Sequence, residues 1–261
     1  MKRKILGLLV GLSLFFTPFG YSADVDVDVE WGYTNDNGPA FWPQLSPLFK
    51  DCANAGTQSP ISIPTGADLT EPALSWHYVP GQFKMNRNQH NLFLYYTGNP
   101  GDEYINWGGK KYFLQEIHFH TPGEHQLDGK AFPMEAHFVH RNADGEELAL
   151  GILLAPGSFN YFFSQLFTNP IPAPNAANQP FITLNPVWVL PARSDFYHYQ
   201  GSLTTPPCGA ITWVVLQQPG SLAGEQMDQF RSQVTAFNAR PIQPLGNRVV
   251  SRGSAFRASD L

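Results

Sequence analysis

The chain has little charge and almost no cysteine. Of its 261 residues only 14% are charged, and the two cysteines, Cys52 and Cys208, lie far apart. Their separation rules out the short ligand spacing of a cysteine-based zinc module. Beyond residue 4 there is no basic cluster, and the formal net charge is −5. A mildly acidic chain without basic patches is a poor partner for nucleic acid. After residue 16 no apolar run is long enough to cross a bilayer, which excludes a helical membrane span once the N-terminus is removed. There is no internal repeat and no domain-scale linker, so a single domain is expected.

Apolar residues make up 43% of the chain, enough to bury a sizeable core. Proline and glycine, 23 of each, are spread along its length and favour short strands and shaped loops over long helices. Strand patterns cover Phe83–Met85, Leu92–Tyr96, Tyr112–Phe119, Glu135–His140, Leu148–Leu154, Val187–Leu190 and Ile211–Leu216. Short helices are expected at Tyr161–Phe167 and Gly224–Phe237, the second with Met227, Phe230 and Val234 on one face. The run Asn169–Asn178 reads as a proline-stiffened surface loop. From Ser251 onward there is no pattern, and a frayed tail is expected.

Lys2, Arg3 and Lys4 precede an apolar stretch from Ile5 to Phe16. Residues 1–22 therefore read as a secretory signal peptide, with Gly20 and Ser22 at the cleavage positions, and 23–261 as the mature domain. Alternating acids at Asp24, Asp26, Asp28 and Glu30 read as a solvated leader. Export places the protein in the periplasm or the medium, where Cys52 and Cys208 are expected to form a disulfide; two buried free thiols are the alternative.

The chemistry concentrates in Glu116-Ile-His-Phe-His120 and Glu135-Ala-His137. Residues two apart on a strand share a face. His118, His120 and Glu116 therefore point one way, and His137 shares a face with Glu135 and Val139 but not with His140. If the two strands pair antiparallel, three imidazoles converge. Three nitrogen ligands leave a tetrahedral zinc one open position, the layout of a catalytic site. A carboxylate two residues before His118 and before His137 can accept each ligand's other ring N–H. A lone His-x-His is more often a chance pair in a strand; the matched glutamates and the third histidine reverse that reading.

Several separated motifs then fall in order: Trp31-Gly-Tyr33, Gln58-Ser-Pro-Ile61, His118-Phe-His120, Glu124-His125, Met134-Glu-Ala-His137, Gly201-Ser-Leu-Thr-Thr-Pro-Pro-Cys208 and Gln243-Pro-Leu-Gly-Asn-Arg248. Over about Trp31 to Val250 the chain resembles the α-class carbonic anhydrases, the bacterial secreted members in particular. That resemblance implies a mainly β single domain, with a large twisted, mostly antiparallel central sheet and a few short peripheral helices. It implies a Zn2+ cofactor and reversible hydration of CO2 to bicarbonate and a proton by zinc-bound hydroxide. A weak esterase side activity, inhibition by anions and sulfonamides, and pairing as a homodimer also come with the family.

Roles carried over by position are as follows. His118, His120 and His137 match the metal ligands, steadied by Glu116, the backbone carbonyl of Asn238, and Glu135. Thr204 matches the threonine that accepts from the nucleophile and donates to Glu124. Thr205 lines the same wall. Val139, Ala149, Leu203 and Trp213 match the apolar pocket for CO2. His90 matches the proton shuttle, Tyr33 a residue that orders water, and Asn88 a polar partner near it. His125 matches a structural histidine, and His77, His140 and His198 read as structural or surface residues. The chain departs from the family pattern in three places. Glu116 stands where most members have glutamine, Phe93 where they have a polar residue, and Gly209-Ala210-Ile211 is a shortened segment.

Overall fold

The computed structural model describes residues 29–99, 101–191 and 193–258; the expected signal peptide over 1–22 lies outside them. The strands in chain order are β1 Ser62–Ile63, β2 Leu74–His77, β3 Gly81–Arg87, β4 Leu92–Tyr96, β5 Tyr104–Trp107, β6 Lys110–His120, β7 Gln126–Leu127, β8 Met134–Asn142, β9 Glu147–Pro156, β10 Phe181–Leu184, β11 Arg193–Ser202, β12 Ala210–Leu216, β13 Gly220–Leu222 and β14 Ser251–Arg257. Among the described residues, three short α-helices accompany them: α1 Trp42–Leu45, α2 Tyr161–Leu166 and α3 Gly224–Gln233. Among the described residues, twelve strands form one mixed sheet, and β1 pairs with β7 apart from it. Most pairings are antiparallel; β9 runs parallel to β12 and β13, and β14 to β2. The chain is mainly β.

The centre of the sheet is β6, β8 and β9. β6 pairs antiparallel with β8, which pairs antiparallel with β9. An irregularity between Leu114 and Glu116 interrupts the β6–β8 register. One extra residue there, Gln115, flips the alternation. Tyr112 and Leu114 thus join Ile117 and Phe119 in the core on one face, while Glu116, His118 and His120 point to the other. Without the bulge, Leu114 would share the histidines' face and its burial would be lost.

The larger core takes Phe162, Phe163 and Leu166 from α2 and Met227 and Phe230 from α3. Asn160 starts α2 by accepting from Phe162 N at 3.0 Å. A smaller core on the opposite face gathers Ile61, Ile63, Tyr197, Tyr199 and Trp213. A disulfide joins Cys52 to Cys208 across 156 residues of sequence. On the chain-entropy model, closing a loop of that length stabilises by about 5 kcal/mol.

The helix expected over Gly224–Phe237 ends at Gln233, β11 was not expected, and two further segments change their assignment. Val187–Leu190 is not a strand: Pro186–Val189 is a 3-10 turn, started by Asn185, whose side chain accepts from Val187 N at 3.2 Å. Proline in the first turn after an asparagine cap outweighs the β-branched run. The frayed tail is corrected over Ser251–Arg257, which forms β14 between β2 and β11. Its small residues are there because neighbours fill the space. A Cβ on Gly253 would lie 2.5 Å from the ring of Phe196.

Candidate metal centre

The register sets His118 on β6 directly opposite His137 on β8, with His120 one pleat further along. The three rings close to centroid separations of 5.2, 5.1 and 4.6 Å. Each imidazole has one nitrogen taken from outside the cluster. His118 Nδ1 lies 3.1 Å from Glu116 Oε1, His120 Nδ1 2.8 Å from the Asn238 carbonyl, and His137 Nε2 3.0 Å from Glu135 Oε1. The other three nitrogens face one another. His137 Nδ1 is 3.3 Å from His118 Nε2, and His120 Nε2 is buried with no hydrogen-bond partner.

These features fit a metal. Ligand bonds of 2.0–2.1 Å at a tetrahedral ion give an edge of about 3.3–3.4 Å between nitrogens. A buried ring nitrogen without a partner is costly unless something accepts its lone pair. Burial pushes the pKa of His120 well down, and that of His137 down to about 4, so both stay neutral, the form in which imidazole ligates. The three donors suit zinc and leave a four-coordinate ion room for one small molecule.

Glu135 is fully buried and saturated. Oε1 accepts from His137 Nε2 and from His125 Nδ1 at 2.8 Å; Oε2 accepts from the backbone N–H groups of Glu124 and His125, each at 2.8 Å. Burial alone would raise its pKa, but the facing His125 and His137 hold it well below the usual carboxylate range. His125 in turn meets the Tyr199 hydroxyl at 2.7 Å through Nε2, and Tyr199 meets Ser59 Oγ at 2.8 Å. The second histidine–carboxylate grouping, His125 with Glu135 and His137, is thus filled by its own hydrogen bonds.

Glu124 is buried beside His120. Its Oε1 accepts from Arg240 N at 2.8 Å, whereas Oε2 is buried without a partner. Burial pushes the carboxyl's pKa up, opposed by the Arg240 N–H and by the hydroxyl of Thr204, itself buried. Ala149 and Trp213 belong to the smaller core, and Val139 and Leu203 pack against it. The Trp213 ring lies 4.7 Å from that of His137. Thr205 is half-buried on the loop before Cys208.

Asn238 does more than sequence position suggests. Its side chain accepts from Thr121 N at 2.8 Å and donates to the carbonyls of Phe119 at 2.9 Å and His90 at 3.1 Å. It therefore ties the His120 strand end to the His90 loop. The His90 ring stacks on Trp31 at 3.9 Å, and Tyr33 contacts it edge-on at 6.1 Å. Burial, with the charge of Glu124, pushes the Tyr33 phenol well up. Asn88 spends its side-chain oxygen on the turn, accepting from His90 N and Asn91 N at 2.8 Å each. Phe93 sets its ring 5.5 Å from that of His118. His140 faces the opposite way, with Nε2 2.7 Å from the Tyr78 hydroxyl in the larger core. Arg240, Tyr199 and Ser59 were not foreseen. Ser59 stood in the motif Gln58-Ser-Pro-Ile61 without a role, and a lone arginine before Pro241 was the signal for Arg240.

The family model for eukaryotic-type carbonic anhydrase matches residues 37–254. A carbonic anhydrase of Pectobacterium carotovorum is 36% identical over 254 residues, covering 96% of this chain and 99% of its own. One from Neisseria gonorrhoeae is 36% identical over 251 residues, covering 95% and 97%. Among solved structures, the α-carbonic anhydrase of Thermovibrio ammonificans in complex with sulfanilamide superposes with a TM-score of 0.79 at 34% identity, covering 85% of this chain and 99% of that one.

Proposed function

The chain belongs to the eukaryotic-type (α) carbonic anhydrase family, and from that premise we propose that it hydrates CO2 reversibly to bicarbonate and a proton, with zinc held by His118, His120 and His137. The observation that carries the metal assignment is the buried, partnerless Nε2 of His120 beside the 3.3 Å pair of imidazole nitrogens. When bound, zinc supplies a Lewis acid that makes hydroxide available near neutrality, a property established for the three-histidine zinc of carbonic anhydrases.

The remaining roles belong to the chain. Glu116, Asn238 and Glu135 fix the ring orientation of the three histidines. CO2 is uncharged and donates no hydrogen bond, so shape must hold it; Val139, Ala149, Leu203 and Trp213 offer an apolar wall for it. Thr204 supplies direction. In this reading its hydroxyl turns to the Glu124 carboxylate as donor, which leaves its lone pair to accept from the attacking oxygen nucleophile and aims that nucleophile at the carbon. Thr205 lines the same wall, and Tyr33 orders water between the site and His90. His90, stacked on Trp31, passes the proton to buffer. A weak esterase activity follows from the same nucleophile.

The sulfanilamide complex of the Thermovibrio neighbour supports sulfonamides as inhibitors, with small anions as competitors. The disulfide supports an oxidising compartment, in keeping with a chain exported through a signal peptide over 1–22 and working as a domain over 23–261 in the periplasm or medium. The test is stopped-flow CO2 hydration by purified protein of known zinc content, beside His118→Ala. Fast hydration that tracks zinc and disappears in the variant is expected. Full zinc occupancy without hydration would overturn the reading and leave a zinc-stabilised binding protein.

A further inference from the structure

Arg240 has no part in the chemistry described above, yet it is among the most elaborately bonded side chains in the molecule. It is only 3% exposed, and burial lowers its pKa to about 10, which leaves it charged at neutral pH. Its guanidinium donates through Nη1 to Gln58 Oε1 at 2.7 Å and the Ser59 carbonyl at 2.9 Å, and through Nη2 to the Cys52 carbonyl at 3.2 Å. Its Cζ lies 5.2 Å from the centroid of the Trp42 ring. Its own backbone N–H is the donor to Glu124 Oε1.

The acceptors are not scattered. They hold both ends of the segment that carries Thr204. On the near side, Ser59 and Ser202 exchange hydrogen bonds, Ser59 N to Ser202 Oγ at 3.0 Å and Ser202 N to Ser59 Oγ at 3.1 Å, two residues before Thr204. On the far side, Cys52 is bonded to Cys208, four residues after it. Gln58 Nε2 also reaches the Cys208 carbonyl at 3.5 Å. Within the loop, Leu203 N donates to Gly209 O at 2.8 Å and Cys208 N to Thr205 O at 2.9 Å. One arginine thus touches Glu124 through its backbone and both anchors of the Thr204 loop through its side chain. The three histidines need no such help, since they sit on paired strands.

We infer that Arg240 is a positioning residue for the hydration step, setting the separation and alignment of Thr204 and Glu124 from behind. The inference rests on the roles proposed for that pair. A buried guanidinium suits the task because its planar fork fixes several acceptors at once, which a lysine ammonium cannot do.

The test is kcat/KM for CO2 in Arg240→Lys, in Glu124→Ala and in the double variant, each with zinc content and melting temperature measured. Arg240→Lys keeps the buried charge but loses the fork. It should keep its zinc and lose roughly tenfold to a hundredfold in kcat/KM, the scale of a misplacement near 1 Å. Once Glu124 is gone there is no pair left to align, so the same substitution in the Glu124→Ala background should cost less than about twofold. A purely structural arginine would cost the same factor in both backgrounds, and that result would overturn the inference, as would a folded, zinc-loaded Arg240→Lys with unchanged kcat/KM. Should Arg240→Lys not fold, Gln58→Ala decides, since it removes one acceptor and leaves the arginine. A loss of at least threefold in kcat/KM at full zinc is expected, and no loss refutes the role. If the unaltered protein carries zinc but hydrates no CO2, the proposed function has failed, and the positioning role falls for that separate reason.

Discussion

Glu103 should make the protein lose stability as pH rises. It precedes β5 and is 1% exposed. Oε1 accepts from Val79 N at 3.1 Å, while Oε2 is buried without any partner. Burial pushes its pKa from the ordinary 4.5 to about 8, against the Val79 N–H and with help from Asp102. An acid with a raised pKa in the folded state holds a proton that the unfolded chain has lost. Between pH 4.5 and 8 the native state therefore binds more protons, and stability falls with rising pH. At about 1.4 kcal/mol per pKa unit, the full loss is roughly 4–5 kcal/mol, complete above pH 8. Glu103→Gln keeps the acceptor for Val79 and removes the titration. Its amide N–H groups inherit the partnerless position of Oε2, a constant cost of roughly 1–3 kcal/mol at every pH. The signature is thus a slope and not an offset. Urea unfolding at pH 5, 7 and 9 should show the variant gaining on the parent by about 3–5 kcal/mol across that range. A difference that stays constant from pH 5 to 9 would refute the reasoning.

Two further predictions concern the metal's surroundings. Glu116→Gln keeps an acceptor for His118 Nδ1 but removes a negative charge, so zinc affinity should fall by about threefold to tenfold in chelator competition. The acidic limb of the hydration profile should move to lower pH in the same variant, and an unmoved limb with unchanged zinc affinity would count against a role for the charge. Phe93 packs its ring against His118 and against Tyr95, at 5.5 and 6.0 Å. Phe93→Gln should restore a hydrogen-bonding wall, so buffer dependence of kcat or sulfonamide affinity should change several-fold at equal zinc content; if neither changes, the ring has no bearing on the cleft.

The strands readable from sequence were those with continuous or alternating apolar residues. β4, β8, β9 and β12 bury aliphatic and aromatic residues in runs or alternation, and their positions follow from that pattern. β11 and β14 hid because their partners do the filling. β11 puts Phe196 into the larger core and Tyr197 and Tyr199 into the smaller one, but Ser194, Asp195, His198 and Gln200 break up the apolar run. β14 reads as Ser-Arg-Gly-Ser-Ala-Phe-Arg, since Gly253 must leave room for Phe196. β6 was read as a strand, but the bulge at Gln115 was not visible. Its effect was nonetheless written in the sequence: Tyr112 and Leu114 are in phase with His118, yet Ile117 and Phe119 are the apolar pair beside it.

The same contrast runs through the site. His118, His120 and Glu116 were legible because a strand's period of two is local, and His137 with Glu135 because the partner strand repeats the device. Asn238 and Arg240 were not legible from the residues, since each acts on groups more than a hundred residues away, through carbonyls and N–H groups that carry no residue signature. This division has a physical cause. The three histidines take their backbone placement from the paired strands, and their rings are then set by Glu116, Asn238 and Glu135. Thr204 lies on a loop, and a loop holds a hydroxyl in place only if its ends are tied. Those ties are the Ser59–Ser202 pair, the Cys52–Cys208 bond and the guanidinium between them. A change that loosens them should spare zinc binding and reduce turnover, whereas a change in β6 or β8 should reduce both together.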